Sequence, residues 1–323
     1  MKITSSEFKP AWWCRHHHLQ TLYPTLFRRQ TKLTLNKEQF ELPDGDFIEL
    51  SWTQEIKTGP IVILLHGLEG SIDSPYAKGI LKTIQDNNLQ GVLMHFRGCG
   101  GQHNRLDRGY HSGETGDLDT FVKTLKTRYP GRKLAAIGVS LGGNVLLKYL
   151  GEQSDECPLT CAMAISVPFD LADSAKKLNS GFSKIYQQHL INRLSKKMRD
   201  KFKERPAPFD IDKLDTWTDF HSFDHNVTAA IHGFKSGDDY YTKSSSKQFI
   251  KNITTPTLIL HSKDDPFMSA EAIPTKDELS SSTTLELTKH GGHVGFVYGK
   301  SPFNAEYWIE KRMAEFFNDK LKC

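Results

Sequence analysis

Long apolar runs are missing from this sequence. Nowhere in its 323 residues does one approach the roughly 20 consecutive residues that span a bilayer. The opening residues, MKITSSEFKPAWW, also lack the uninterrupted apolar core of a secretory leader. The expectation is a cytoplasmic protein. Cysteine is scarce: Cys14, Cys99, Cys157, Cys161 and Cys323 form an odd set, and no spacing among them matches a zinc pattern. Cys157 and Cys161 stand four apart without a second pair, so reduced structural thiols are expected. Neither sign of charge is in large surplus. A formal net charge of +4 is too small to argue for a nucleic-acid partner, and none is expected.

What is present is the material of one large α/β domain with an insertion. Mainly apolar runs of four to eight residues recur at Ile61–Leu65, 91–96 (GVLMHF), around 134–137, at 160–167 (TCAMAISV), at 256–260 (PTLIL) and at 284–287 (TLEL). Such runs read as strands buried on both faces. Helical patterns separate them. One is expected from an N-cap at Ser74 with Pro75 at the first helical position, running to about Asn87. Another should begin near Gly113 and carry Leu118, Phe121, Val122 and Leu125 on one face. A terminal amphipathic helix holds Trp308, Ile309, Met313, Phe316 and Phe317. Strand and helix in alternation predict a mostly parallel, doubly wound sheet with helices on both faces. Ahead of it, Pro43-Asp44-Gly45-Asp46 between alternating segments predicts an antiparallel hairpin within residues 31–53.

Two stretches break the rhythm. Residues 1–30, with FKPAWWCRHHHLQTLYPTLFRR as their main part, predict an arm docked on the body. Its His16-His17-His18 run makes a poor metal set, because adjacent side chains point apart, and His18 is expected to be a polar anchor. Residues from 169 to about 248 are polar and lack strand runs. Inserted after the fourth clear parallel strand, they would overhang the carboxyl ends of the strands as a lid. Between Lys184 and Arg205 this segment carries eight cations against Asp200 and Glu204. That is read as a solvated helix face, with peripheral contact to an anionic membrane, or an acidic substrate, as the alternative.

The chain is organised around Lys133 to Lys148, KLAAIGVSLGGNVLLK. An apolar strand runs into Gly138-Val139-Ser140-Leu141-Gly142 and then into a helix, so G-x-S-x-G stands in strand–turn–helix context. A serine on so tight a turn has a strained backbone, and only glycine at 138 and 142 leaves room for it. The turn lifts the Ser140 hydroxyl above the sheet and aims the Leu141 N–H at the same place. Two later strand ends carry the remaining reactive groups: Asp264 and Asp265 after 256–260, and His290 and His293 after 284–287. Serine, acid, histidine is the chain order of an α/β-hydrolase triad. Ser140 is the candidate nucleophile, His293 the base, and either aspartate could hold the imidazole.

The sequence resembles the α/β-hydrolase superfamily, and within it the YheT-like branch of esterases related to eukaryotic α/β-hydrolase-domain lipases. PAWW with HLQT, LLHGLEGS, FRGCGG, GVSLGGN, DDPF and HGGHVGF carry the resemblance from residue 10 to 296. It implies the α/β-hydrolase fold and a serine carboxylic-ester hydrolase acting on short-chain esters or acylglycerols through an acyl-enzyme. It favours Asp265, which directly precedes Pro266, over Asp264, and His293 over His290. It implies Leu68, after His66-Gly67, as the second backbone donor of an oxyanion hole beside Leu141. His66 and Arg97 are expected to orient loops, and Asp238, Tyr240 and Tyr241 to line the pocket or pack. The chemistry requires no metal and no organic cofactor. An alcohol acyltransferase using the same acyl-enzyme is the alternative, and a non-catalytic binding protein on this fold is the third reading.

Overall fold

Residues 2–29 and 31–321 are described by the structure, a computed structural model; Cys323 lies outside them. In chain order come β1 (Ile3–Ser5), α1 (His17–Phe27), β2 (Asn36–Glu41), β3 (Phe47–Trp52), β4 (Ile61–Leu65), α2 (Ala77–Asp86), β5 (Gln90–Met94), α3 (Gly116–Arg128), β6 (Leu134–Val139), α4 (Leu141–Gln153) and β7 (Cys161–Ile165). Then follow α5 (Leu171–Leu178), α6 (Ser183–Lys201), α7 (Phe220–Phe223), α8 (Ala229–His232) and α9 (Gly237–Ser244). The chain closes with β8 (Thr257–Ser262), β9 (Thr283–Thr288) and α10 (Trp308–Lys320).

These nine strands form one sheet in the order β1-β9-β8-β7-β6-β4-β5-β3-β2, and Val297–Tyr298 pairs separately with Glu306–Tyr307. From β5 to β1 every pair is parallel; β3 and β2 close the far edge antiparallel, as the expected hairpin. All residues of β4 through β8 are buried, which is why these runs carry no polar alternation. Two cores flank the sheet. Phe121 and Leu125 of α3 and Val145 and Tyr149 of α4 fill one; Ile80 and Ile84 of α2 and Met313 and Phe317 of α10 fill the other. The sheet is therefore wound on both faces.

Three local expectations need correction. Helix α2 starts at Ala77, not behind a Ser74 cap: Ser74 Oγ accepts from the Ser71 N–H at 3.0 Å and closes a turn of its own. Helix α3 starts at Gly116, because the Glu114 side chain accepts the Gly116 N–H at 3.0 Å and holds residues 114–116 in a turn first. The arm, finally, is part of the sheet. Ile3, Thr4 and Ser5 pair with Leu285, Glu286 and Leu287 as the parallel edge strand β1, too short to show a periodicity.

Residues 169–248 hold five α-helices and no strand, and they build a third apolar cluster from Leu171, Leu178, Leu194, Phe220, Phe223 and Tyr241. Of the basic stretch, Lys184, Arg193, Lys196, Arg199 and Lys203 are exposed, as a solvated face would have them, but part is turned inward. Lys197 pairs with Glu69 at 2.9 Å, and buried Lys201 donates to Asn104 Oδ1 and Arg108 O, each at 2.9 Å. No helix among the described residues is long and apolar enough to cross a membrane.

Candidate active site

Ser140 sits between β6 and α4 with φ 54° and ψ −120°, a conformation side chains rarely adopt. The local glycines make that turn feasible. A Cβ on Gly142 would stand 2.5 Å from Leu65 O and 2.6 Å from His66 O, and one on Gly138 would strike the Gly142 backbone. The Ser140 N–H donates to Ile165 O at 2.8 Å, tying the turn to the end of β7. Asn144, buried one turn into α4, donates to Ser112 O and Ser244 O and accepts from the Ser246 N–H. The second half of GVSLGGN thus anchors the helix to the loops on either side.

The loops after β8 and β9 bring the other two side chains to Ser140. His293 Nε2 lies 2.9 Å from Ser140 Oγ, and its Nδ1 lies 2.9 Å from Asp265 Oδ2. An ionised carboxylate only accepts, so Nδ1 carries the proton and the Nε2 lone pair faces the hydroxyl. Asp265 is buried, and its Oδ1 accepts the Phe267 N–H at 2.8 Å. The Phe267 ring lies flat on His293, with centroids 3.8 Å apart and planes 5° from parallel. The imidazole is thereby held in position and in plane.

Asp264 takes another place. It accepts from Ser262 Oγ at 2.5 Å and the Gly292 N–H at 3.0 Å, and its Oδ2 lies 3.2 Å from His290 Nδ1. One aspartate serves the ring of His293, and its neighbour serves the backbone that presents the ring. His290 is partnered with Asp264 rather than with Ser140.

Leu68 and Leu141 both line the cavity that holds Ser140 and His293. The N–H groups flanking Leu68 are taken: Gly67 donates to Tyr76 Oη and Glu69 to Tyr110 Oη, each at 2.8 Å. Among the described residues no acceptor meets the N–H of Leu68 or of Leu141. Glu69, at φ 51°, is fixed by Lys197 and by the Tyr110 hydroxyl, so α6 holds the loop that presents Leu68. His66 staples this loop to the end of β5: Nε2 accepts the Phe96 N–H at 3.1 Å, and Nδ1–H donates to Gly67 O at 2.7 Å. Burial pushes its pKa down to about 3, which keeps that tautomer neutral. Arg97 is buried in a cage of Asp117, Asp46 and Asp44 that fastens its own loop to the β2–β3 turn and the start of α3.

The cavity offers about 150 Å³ of solvent-accessible space. Its walls are mainly apolar and come from α5, α6 and the α7–α8 stretch, with Leu171, Leu178, Leu194, Phe220 and Phe223. Tyr240 and Tyr241 line it as well, whereas Asp238 is exposed and pairs with His221 outside it. Asp238 is the second residue of the helix, two past its Ser236 cap, and faces solvent, while Tyr240 and Tyr241, two and three residues on, are buried. Two acids do reach the cavity: Glu69, held by Lys197 and the Tyr110 hydroxyl, and Asp224. Asp224, in the π turn 224–228 between α7 and α8, accepts from Thr228 Oγ1 and Tyr241 Oη, and burial raises its pKa to about 6. Among the described residues, no group of histidine, cysteine, aspartate and glutamate side chains is arranged to hold a metal ion.

The arm supplies a part not read from the residues. Thr21 Oγ1 accepts the His293 N–H at 2.9 Å. Buried Gln20 accepts the Val297 N–H at 2.6 Å and donates to Val297 O at 2.9 Å and Cys14 O at 2.5 Å, as a strand neighbour would. At Gly292, with φ 59°, a Cβ would collide with the backbone oxygen of His17. The tetrapeptide HLQT was the available signal: a glutamine and a threonine adjacent on a helix otherwise apolar in this region. His18 contacts Tyr186 Oη at 3.1 Å, and burial with neighbouring His17 and His16 pushes its pKa down to about 4.

Comparison with known proteins adds to this geometry. A family model described as alpha/beta hydrolase fold matches residues 60–300. The chain is 39% identical over 325 residues to an Escherichia coli protein named "Putative esterase YheT", covering 99% of this chain and 95% of that protein. It is 29% identical over 318 residues to "Phospholipase ABHD3" of Homo sapiens, covering 94% and 77% respectively. It is 32% identical over 274 residues to "Monoacylglycerol lipase" of Saccharomyces cerevisiae, covering 81% and 60%. Among solved structures, a Pyrococcus furiosus esterase, Pf2001, superposes with a TM-score of 0.61 at 16% identity, over 90% of this chain and 94% of that one. At that identity the likeness is one of fold.

Proposed function

Since the chain belongs to the alpha/beta hydrolase family, we propose that it is a carboxylic-ester hydrolase acting through Ser140, His293 and Asp265. The observation that carries this reading is the unbroken line from Asp265 Oδ2 through the imidazole to Ser140 Oγ, 2.9 Å at either end. Ser140 Oγ attacks the ester carbonyl while its proton passes to His293 Nε2. The oxyanion so formed is received by the N–H groups of Leu68 and Leu141. His293 then gives the proton to the departing alkoxide, leaving an acyl group on Ser140. Water, deprotonated by the same nitrogen, attacks the acyl carbonyl, and the acid leaves with Ser140 restored. Asp265 keeps the proton on Nδ1 and offsets the charge of the transient imidazolium.

The substrate class follows from the walls. Apolar side chains from 169–248 surround the space beside Ser140, which suits an acyl chain, and these helices serve as the lid over it. The names of the esterase and monoacylglycerol lipase relatives support esters or acylglycerols as the class. Release of acid from p-nitrophenyl esters of graded acyl length tests the reading. The wild type should turn them over, and Ser140→Ala should lose on the order of 10⁴-fold or more in kcat. A Ser140→Ala protein with wild-type turnover would overthrow it.

A further inference from the structure

The large apolar side chains left exposed among the described residues are not scattered. Trp12, Leu19, Leu26 and Phe27 lie on the arm, Phe182 and Ile185 at the start of α6, and Phe303 on the loop before α10. Contacts join these places into one face. Trp12 Nε1 donates to Lys300 O at 3.1 Å, and Tyr23 Oη donates to Pro302 O, next to Phe303. The His18 ring lies 4.3 Å from that of Phe182. Single exposed apolar residues need no explanation, but a contiguous set marks an interaction surface.

The charge around this face is mostly positive, with exposed Glu7 at the start of the arm. Residues 8–29 contain no aspartate or glutamate. Lys9, Arg15 and Arg29 on the arm are exposed, as are Lys177, Lys184 and Lys300 beside it, and no carboxylate lies within ion-pair distance of them among the described residues. At the margin, Glu310 is occupied by Arg28, and Glu306 is exposed. The face also communicates with the site. From Phe182 the rings of Tyr186, Phe267 and His293 follow in contact, with centroids 5.9, 5.1 and 3.8 Å apart.

We propose that the face built by the arm and the start of α6 docks on an anionic lipid surface, so that amphiphilic esters reach Ser140 from that side. Aromatic and aliphatic side chains ringed by cations match the boundary between acyl chains and acidic headgroups. A second copy of the chain fits less well, because a two-fold pairing would set the same unpaired cations against each other. Docking is read without turnover, so it stands or falls separately from the catalytic reading.

The test is co-sedimentation of the full chain with phosphatidylglycerol–phosphatidylcholine vesicles at low salt, and with phosphatidylcholine alone. Binding should be strong to the first, weak to the second and reversed by salt. Phe27→Ser with Ile185→Ser should weaken it about ten-fold or more. Leu26→Ser with Phe303→Ser, an independent pair, should do the same. Arg15→Ser and Lys184→Ser should cost about five-fold each. Turnover of a water-soluble short-chain ester should be unchanged in all of them. Three outcomes would overturn the proposal: wild type left in the supernatant with both vesicles, binding unaltered in both apolar pairs, or a dimer in light scattering that those pairs dissociate.

Discussion

Asp264 and Asp265 are adjacent in sequence, yet they do different work. Asp265 meets the imidazole while Asp264 accepts the Gly292 N–H and pairs with His290. The residues alone left this choice open, because it depends on the path of a turn that neither spacing nor residue type determines. The G-x-S-x-G turn was legible for the opposite reason: its glycines answer to backbone collisions that hold wherever strand, serine and helix meet so tightly. The division of labour has a kinetic consequence. Asp265→Asn should cost on the order of 10⁴-fold in kcat with little change in KM, since the wrong tautomer is stabilised. Asp264→Asn should keep kcat within about ten-fold and show instead as a loss of roughly 1–3 kcal/mol in stability. Equal kinetic losses would reverse the assignment.

Among the elements, strands and helices of the sheet were legible because each is a long apolar pattern of its own. The inward turn of α6 was not. The partners of Lys197 and Lys201 are Glu69 and Asn104, remote in sequence, and a cation row looks the same whether it faces water or a buried carboxylate. Helix α1 offered only HLQT as a signal, since its role is to offer Gln20 and Thr21 to the remote His293 loop. If that loop needs the arm, Thr21→Val should lower kcat about ten-fold by leaving a backbone N–H unpaired. Thr21→Ser should restore it, and KM should move little. Steady-state kinetics on a soluble ester decides this, and a Thr21→Val enzyme with unchanged kcat would mean that the arm does not position the base.

At the scale of the whole molecule, the alternation of strands and helices made the winding of the sheet readable, while the edge strand β1 escaped because three residues carry no period. Burial of histidine is a global property too. Burial pushes His66 and His111 down to about 3, and His95 and His261 to about 4. An unfolded chain titrates such groups near 6.5, so below that pH it binds protons the folded chain refuses. Their stabilising effect is complete above the unfolded value and is lost as pH falls toward about 4. Asp224, raised to about 6, works the other way, since the folded state holds its proton more tightly than an ordinary carboxylate at 3.8. Lowered histidines outnumber the raised acids, Asp224 and Asp117, which predicts a melting temperature that drops by several degrees between about pH 7 and about pH 5, at roughly 2–4 °C per kcal/mol. A flat or rising profile in calorimetry would contradict this balance. The central claim is that the contacts at Ser140 activate it. The most direct measurement is the intact mass of the protein after a fluorophosphonate probe, followed by peptide mapping. A single adduct on Ser140 is expected, absent in Ser140→Ala and strongly slowed in His293→Ala. Folded wild type that stays unlabelled, or labelling of His293→Ala at the wild-type rate, would contradict it.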